Sequence, residues 1–249
     1  MKRFFFLCIA LVLFSSGSKA ADNEPEEGIT WMGFLGMNLS DLQSHDYNAK
    51  VGATLGFRAD YMLPKAHGTY VTAGIDWSMK GGSMSYTEPL QIGSEIINFD
   101  ATRRYTLHYL ELPIRLGFRY NARENLGLYG EMGPYFAVGV GGCHSLDIDG
   151  DGTDVRNRED EYSFDAFGSS ANLDKQTFQR LDIGIGFRLG LEYNNHYNLM
   201  LGFDWGLSDI YRDSFRDAYW NHSLEKTGTG ERLPKVYNFN FSLTAGYRF

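Results

Sequence analysis

The stretch VYNFNFSLTAGYRF, residues 236–249, alternates apolar and polar side chains from residue 237 onward. One parity carries Tyr237, Phe239, Phe241, Leu243, Ala245, Tyr247 and Phe249, and the other carries Asn238, Asn240, Ser242, Thr244, Gly246 and Arg248. Because successive side chains of a strand point to opposite faces, the pattern predicts a strand with one apolar and one polar face. In a membrane barrel the apolar face meets lipid and the polar face lines the lumen.

The same alternation recurs seven more times along the chain. The predicted strands are residues 30–39, 51–62, 70–80, 104–120, 126–140, 179–193, 197–208 and 236–249. Eight is an even number, as bacterial single-chain barrels require. The sequence therefore predicts an all-β fold, an eight-stranded antiparallel up-and-down transmembrane β-barrel. Pro113 lacks a backbone N–H, so we expect a local irregularity in its strand.

The connections between the predicted strands alternate in length. Residues 63–69, 121–125 and 194–196 form short turns, whereas 40–50, 81–103, 141–178 and 209–235 form longer loops. Outer-membrane barrels have short periplasmic turns and long external loops. The order here predicts an outer-membrane location with both termini in the periplasm.

A soluble eight-stranded barrel, such as a lipocalin, is the competing interpretation. Its apolar side chains would face inward, and parity alone cannot distinguish inside from outside. The glycine-rich, charge-matched polar face and the apolar Phe249 at the end of the last strand favour contact with lipid.

The first residues have the features of a secretory signal. Lys2 and Arg3 precede an apolar run over residues 4–14, which is too short to span a bilayer, and Ala20 ends a small-x-small cleavage site. We therefore expect a signal peptide over residues 1–20, a short periplasmic lead over 21–29 and the barrel over 30–249.

The charge of the chain restricts its partners. Removal of Lys2, Arg3 and Lys19 leaves 20 basic against 31 acidic residues, a net charge of −11. Such acidity argues against nucleic acid as a partner. Only Cys143 remains after cleavage, so no intrachain disulfide can form. Barrel strands of this kind imply outer-membrane lipid as the surroundings.

Several motifs resemble the PorT-like outer-membrane β-barrel family. YLELPIRLGFRY (109–120) resembles the family's "YLEIP" strand, and DWSMKGG (76–82) resembles a strand ending in a Lys-Gly step. GLSDIY (206–211), LTAGYRF (243–249) and GMNLS (36–40) resemble its penultimate, closing and opening strands. The resemblance implies an eight-stranded outer-membrane barrel. It implies no single function, although the family is named for a member linked to protein secretion.

The polar parity of the strands carries seven acids and six bases. These are Arg58, Asp60, Asp76, Lys80, Glu111, Arg115, Arg119, Glu131, Asp182, Arg188, Glu192, Asp204 and Arg248. The lumen of an eight-stranded barrel is just wide enough for side chains to fill. We therefore expect a packed ionic network, because buried charges persist when they are paired. A conducting pore, the alternative, would need spare width or an excess of one sign.

An acidic stretch in one predicted loop resembles half of a calcium site. Asp147, Asp149, Asp151 and Asp154 alternate with glycine and other residues, as in the first half of a calcium-binding loop. Arg158 stands where the bidentate glutamate belongs, and Glu159 follows one residue late. Calcium is thus a candidate ligand, and an ordinary acidic surface loop is the alternative.

Catalysis has weak support in the sequence. The candidates are His108, His144 and His222 with a nearby serine, but no nucleophile, base and orienting group form a recognisable set. The aromatic and charged residues of the predicted loops, among them Tyr162, Phe164, Phe167 and the stretch 211–220, are typical of binding surfaces or of loops packed over the barrel mouth.

Three functions remain open at this point. The chain is a non-enzymatic barrel whose loops bind an envelope or extracellular protein, a component of a secretion apparatus, or a lipid-modifying enzyme. We also expect Tyr247 and Phe249 to form an aromatic C-terminal signal for the outer-membrane assembly machinery.

Overall fold

A computed structural model describes residues 28–43, 48–92, 95–149, 164–167, 178–228, 230 and 234–249. The expected signal peptide, and all but the last two residues of the short lead, lie outside these residues. The strands are β1 (Gly28–Leu42), β2 (Asn48–Met62), β3 (Thr69–Ile92), β4 (Glu95–Arg123), β5 (Leu126–Asp149), β6 (Phe164–Asp165), β7 (Leu181–Tyr193), β8 (Tyr197–Gly206) and β9 (Asn238–Arg248), and the helix α1 is Asp213–Thr227.

Eight of these strands close into one antiparallel barrel. Each long strand pairs with the next along the chain, β5 pairs directly with β7, and β9 returns to pair with β1. The two-residue β6 pairs with residues 143–144 of β5 and is not one of the eight strands of the barrel wall. The predicted eight-stranded antiparallel barrel is therefore confirmed.

The apolar parity faces outward all round the barrel. On β1, the side chain of Leu35 is 70% exposed, whereas that of Asn38 on the opposite face is 3% exposed. The soluble-barrel alternative, which requires the apolar side chains inside, is therefore wrong. An apolar outer surface of this extent is typical of a protein that a membrane surrounds.

The two ends of the barrel differ. At one end, the turn end, residues 63–68, 124–125 and 194–196 make short connections. At the other end, the loop end, β3 and β4 continue as a paired hairpin up to Ile92 and Glu95. Gly28 and Phe249, the outer bounds of the described chain, both lie at the turn end.

The loop end contains more regular structure than the sequence predicted. The predicted loop 81–103 is mostly strand, β5 runs on through Asp149, and β1 and β2 extend into the first predicted loop as far as Leu42 and Asn48. Residues 83–92 still alternate, with Met84, Tyr86, Leu90 and Ile92 on one parity. The predicted strand ended at Lys80, whereas backbone pairing with β4 continues to Ile92.

Helix α1 occupies part of the predicted loop 209–235. It ends at Gly228, whose left-handed backbone (φ 73°) lets its N–H donate to the carbonyl of Leu224 at 3.0 Å. Its apolar side chains do not form one stripe, which is why periodicity did not predict it. Within the described residues, no helix is both long and apolar enough to cross a bilayer.

The wall is locally irregular at Pro113, as predicted. The pairs between β3 and β4 are interrupted between Ala73–Ile114 and Asp76–Glu111, although the β4–β5 register is the same on both sides of Pro113. The β4–β5 register shifts between His108 and Tyr109, where β5 carries Val140 as an extra residue, and again between Asn121 and Arg123. The β2–β3 register shifts between Ala49 and Thr54.

Candidate functional site

The thirteen charged residues of the polar parity all point into the lumen. Twelve of them are buried, and the side chain of Arg188 is only 11% exposed. They form three connected groups, stacked from the turn end to the loop end.

The lower group surrounds one carboxylate. Asp60 Oδ2 lies 2.8 Å from Arg248 Nη1 and 3.6 Å from Arg119 Nη2, and Asp60 Oδ1 lies 3.7 Å from Arg58 Nε. Glu192 Oε2 lies 2.8 Å from Arg248 Nε and 3.7 Å from Arg119 Nη2. Because these residues come from β2, β4, β7 and β9, the group ties together strands from opposite sides of the barrel.

The middle group contains three arginine–carboxylate contacts, the longest of which joins Arg115 Nη2 to Asp204 Oδ1 at 3.9 Å. Arg58 Nη1 lies 2.9 Å from Glu131 Oε2, and the Tyr70 hydroxyl donates to the other oxygen of Glu131 at 2.7 Å. Arg188 donates both Nη atoms to the two oxygens of Asp204, at 2.7 and 2.9 Å. Bidentate arginine–carboxylate contacts of this kind are among the stronger ion pairs in proteins.

The upper group is built on a lysine. Lys80 Nζ lies 2.9 Å from Glu111 and 3.5 Å from Asp182. It also lies over the rings of Tyr135 and Tyr109, at 4.7 and 5.4 Å from the ring centres. Two carboxylates and two ring faces thus stabilise an ammonium group that is wholly removed from solvent.

Asp76 is the acid in excess. Among the described residues it makes no ion pair within 4 Å, and its Oδ1 has no hydrogen-bond partner. It borders a cavity of about 10 Å³ between the middle and upper groups, which Arg115 and Arg188 also line. A cavity of this size holds about one water molecule. The lumen therefore has little spare width beyond its side chains.

Aromatic rings fill the remaining width by lying over glycines. The ring of Tyr129 covers Gly190, and that of Tyr70 covers Gly117, so closely that a Cβ at either glycine would lie 2.0 or 2.4 Å from ring carbon. Tyr135 covers Gly184 in the same way. The glycines of the polar parity thus make room for tyrosines on the neighbouring strand.

An apolar cluster closes the loop end of the lumen. Its members are Leu42, Tyr105, Leu107, Tyr109, Tyr135, Ala137, Ala166, Phe167, Phe178, Ile210, Tyr211 and Val236. Phe178 makes an edge contact with Tyr105 and stacks on Tyr211, with ring centres 5.2 and 5.6 Å apart. The segments 164–167, 178–180 and 210–211 therefore pack into the mouth of the barrel.

A smaller apolar cluster lies near the turn end. Met32, Met62, Tyr70, Tyr129 and Met200 are buried there, with Phe34 packed against them. Met200 also lines the cavity beside Asp76, so this cluster lies among the ionic groups, whereas the larger cluster closes the loop end. Such an interior suits a rigid support more than a conduit, since conduction requires a continuous wet path.

The family model described as "Outer membrane protein beta-barrel domain" matches residues 20–212, which is more than half of the chain. The chain belongs to this family. As a member of the outer-membrane β-barrels, it has lipid as the natural surroundings of its apolar exterior. The match is to the barrel domain in general, and it does not single out the PorT-like group.

Solved structures of similar shape are small outer-membrane barrels. Ail of Yersinia pestis shares 13% identity over 90% of this chain and 100% of its own, with a TM-score of 0.38. Neisserial surface protein A shares 11% over 90% and 100%, with a TM-score of 0.43. OprG of Pseudomonas aeruginosa shares 13% over 92% and 99%, with a TM-score of 0.36. No curated protein matches the sequence.

The histidine candidates do not form a catalytic set within the described residues. His108 lies on the outer face of the barrel, where it stacks on Trp77 at 5.4 Å. His144 lies in β5, paired with Tyr105 and Phe164, and His222 lies in α1. The three residues therefore belong to separate elements of the outer-membrane barrel.

The acidic calcium candidate is divided by the end of β5. Asp147 and Asp149 lie in the strand, paired with Thr102 and Asp100 of β4, so the first part of the predicted loop is extended. Asp151 and Asp154 lie outside the described residues. No group of three or more metal-ligating side chains occurs in the described part of the chain. Calcium binding stays a prediction.

The aromatic residues of the predicted assembly signal lie at the seam between β9 and β1. Tyr247 stacks on His196 at 5.4 Å and makes an edge contact with Phe249 at 5.2 Å. The backbone N–H of Phe249 donates to the carbonyl of Trp31 at 2.9 Å. Their role in assembly stays a prediction.

The sequence prediction omitted the apolar closure of the loop end. Tyr105, Leu107 and Tyr109 have inward parity, in the same strand as the inward Glu111 and Arg115. The signal for a closed mouth was therefore present, as a change of the inward parity of β4 from charged to apolar side chains. Its loop partners have no periodicity and could not be found in that way.

Proposed function

We propose that this chain is a non-enzymatic, non-conducting outer-membrane barrel that presents its loop end to a protein partner. Its turn end and both termini face the periplasm in this proposal, and its loop end faces outward. The alternation of short and long connections supports this orientation.

One feature carries the proposal, namely a three-stranded sheet that projects beyond the barrel. The last pair between β2 and β3 is Asn48 with Ser83. From there β3 continues to Ile92, roughly 30 Å at 3.3–3.4 Å per residue. β4 pairs with it throughout, and β5 accompanies β4 up to Asp149.

The free edge of this sheet is suited to binding a protein strand. Past Ser83, the edge of β3 that faced β2 has no partner strand in the described part of the chain. Unpaired strand edges offer a row of N–H and C=O groups that an extended peptide can pair with. A filled, rigid barrel below holds the sheet in a fixed position relative to the membrane.

Trimming the hairpin tests the binding role. Residues 85–102 are replaced by an Asn-Gly turn, which joins Met84 to Arg103, a pair already in register. We expect normal amounts of folded barrel in the outer membrane, because the wall is untouched, and loss of the protein that cross-links to the intact chain in cells. If the trimmed chain keeps the same cross-linked partner, the sheet is not the binding surface.

Conductance tests the filled lumen separately. We expect the purified barrel in a planar bilayer to show no steady ionic current, since ion pairs and apolar clusters occupy its length. A steady current in the intact chain would refute this part of the proposal.

Participation in a secretion apparatus is the second candidate. The resemblance of residues 109–120 to the PorT-like family supports it. In that case the cross-linked partner would be a stoichiometric secretion component, and deletion of the gene would reduce the exported proteins. Unaltered secretion in the deletion strain would exclude it. Unchanged lipid A in the same strain would exclude the lipid-modifying enzyme.

A further inference from the structure

Two buried residues of the lumen have polar atoms that lack a hydrogen-bond partner in the described part of the chain. They are Asp76 on β3, through its Oδ1, and Arg115 on β4, through its Nε and Nη2. Asp76 is 4% exposed and Arg115 is 2% exposed. Buried polar atoms are nearly always hydrogen-bonded, either to protein or to ordered water. One acceptor and two donors in the lumen therefore require a partner.

Both residues line the cavity of about 10 Å³ between the middle and upper groups. Asp76 Oδ1 lies over Gly56, only 2.3 Å from the place where a Cβ of that residue would be. Arg115 Nε lies over Gly186 in the same way, at 3.2 Å. No ion pair joins the two side chains within 4 Å in the described structure. One small molecule that makes two hydrogen bonds of about 2.8 Å can bridge such a separation.

The charges around the cavity favour a neutral ligand. Its lining contains three bases and three acids, namely Arg58, Arg115, Arg188, Asp76, Glu111 and Asp204. Because these charges sum to zero, a bound ion would leave a buried charge without compensation, which is costly. Within the described residues, no three acids, histidines or cysteines are grouped so as to hold a metal ion. The ligand must also donate to a carboxylate and accept from a guanidinium, as water does.

Apolar side chains separate this cavity from the bulk solvent. Phe34 and Met200 lie in its wall and belong to the apolar cluster near the turn end. The larger cluster, which includes Tyr105 and Phe178, closes the loop end. A ligand in the cavity must therefore be small, and it should exchange slowly with the solvent.

We propose that one water molecule is a tightly bound structural ligand of this cavity, donating a hydrogen bond to Asp76 Oδ1 and accepting one from the guanidinium of Arg115. This water connects the acid in excess to the middle group. It also lies beside Glu111 of the upper group, so that the two groups become one hydrogen-bonded network. The site depends neither on the orientation of the barrel nor on its binding partner.

A crystal structure of the purified full chain, at a resolution that shows ordered water, tests the site directly. Crystals are grown in sodium chloride and in rubidium bromide, whose ions give an anomalous signal. We expect one density peak at about 2.6–3.2 Å from Asp76 Oδ1 and from a nitrogen of Arg115, without anomalous signal in either salt. An anomalous peak in the cavity would identify an ion instead and overturn the proposal. Direct contact between the two side chains, with no peak, would overturn it as well.

Oxygen-17 relaxation dispersion, which counts long-lived internal waters in solution, gives a second readout. Asp76→Leu removes the acceptor and should lower the count by about one relative to the intact chain. Asp76→Asn is the matched control, because it keeps an oxygen acceptor of the same shape and should retain the water. Equal counts in the intact chain and in Asp76→Leu, or equal loss in both variants, would overturn the proposal. The crystallographic test uses the intact chain, so it decides the question even if Asp76→Leu does not fold.

Discussion

Arg248 of the last strand donates from Nη1 to Asp60 Oδ2 of the second strand at 2.8 Å. The two residues are 188 positions apart in the chain, and β1 lies between their strands. The contact therefore crosses the interior beside the seam at which β9 meets β1. Closure of the barrel at this seam therefore depends on an ionic contact.

Replacing Asp60 should expose the dependence of the fold on this group. Asp60→Asn leaves Arg58, Arg119 and Arg248 close together without their shared carboxylate. Removing one partner of a buried ion pair costs about 3–5 kcal/mol. We expect a loss of that size in the free energy of unfolding, measured by urea titration in lipid vesicles. Glu124→Gln, in an exposed turn, should change it by less than about 1 kcal/mol; equal effects of the two variants would contradict the network's role.

The ring-over-glycine packing gives a second prediction. In Gly190→Ala the new methyl group would lie 2.0 Å from the Tyr129 ring, so the ring or the strand must move. Overpacking of this kind costs typically about 1–3 kcal/mol of folding free energy. Gly130→Ala is the matched control, because its nearest contact would be Leu189 Cδ2 at an ordinary 3.6 Å. Thermal unfolding in micelles should separate the two variants, and equal midpoints would contradict the packing account.

Asp209 fixes the segment that precedes helix α1. Its Oδ1 accepts the backbone N–H groups of Tyr211 at 3.1 Å and Val236 at 3.2 Å, and its Oδ2 pairs with Arg216. We expect Asp209→Ala to loosen this segment, so that trypsin cleaves at Arg212 and Arg216 faster in folded barrels.

Limited proteolysis followed by mass spectrometry measures that effect. Glu225→Ala removes an exposed acid of the same helix, away from both cleavage sites, and should leave the cleavage rate unchanged. Cleavage at the unaltered rate in Asp209→Ala would show that other contacts hold the segment in place.

The calcium prediction has its own test. Calorimetric titration of the purified barrel would detect binding to the stretch from Asp147 to Asp154, and conversion of its four aspartates to asparagine should abolish the signal. Absence of binding at millimolar calcium would end the prediction, because extracellular sites bind in the range of about 10⁻⁴–10⁻³ M.

The barrel wall could be predicted from the sequence because its two surroundings, lipid and the lumen, differ strongly in polarity. Every wall residue faces either lipid or the lumen, so a one-residue error would place a charge such as Arg188 in the membrane. The same constraint identified all thirteen lumen charges as one inward set. It could not supply their pairing, since Asp60 selects Arg248 through the curvature and stagger of the barrel, which alternation does not encode.

The loop end escaped prediction for a different reason. β3 alternates as far as Ile92, but the predicted strand ended at Lys80, and it is the pairing with β4 that shows how far the strand extends. Helix α1 lacks an apolar stripe. Lys50 shows a third case, since the sequence placed it in a loop, whereas it lies in β2, pairs with Ser40 of β1 and donates from Nζ to the Thr106 hydroxyl of β4.

Charged side chains line the interior of this barrel, and apolar side chains cover its exterior. This arrangement determines which amino-acid substitutions the barrel tolerates. On the outer wall, at Leu35 or Ile183, one apolar residue should replace another at little cost, since fluid lipid adapts to either shape. In the interior, a substitution of Asp204 alone would leave Arg188 without its carboxylate partner. Viable variants there should therefore arise as compensating pairs of substitutions. A mutational scan of this barrel would therefore show its permissive positions on the apolar face and its intolerant ones on the polar face, the reverse of the map for a soluble protein.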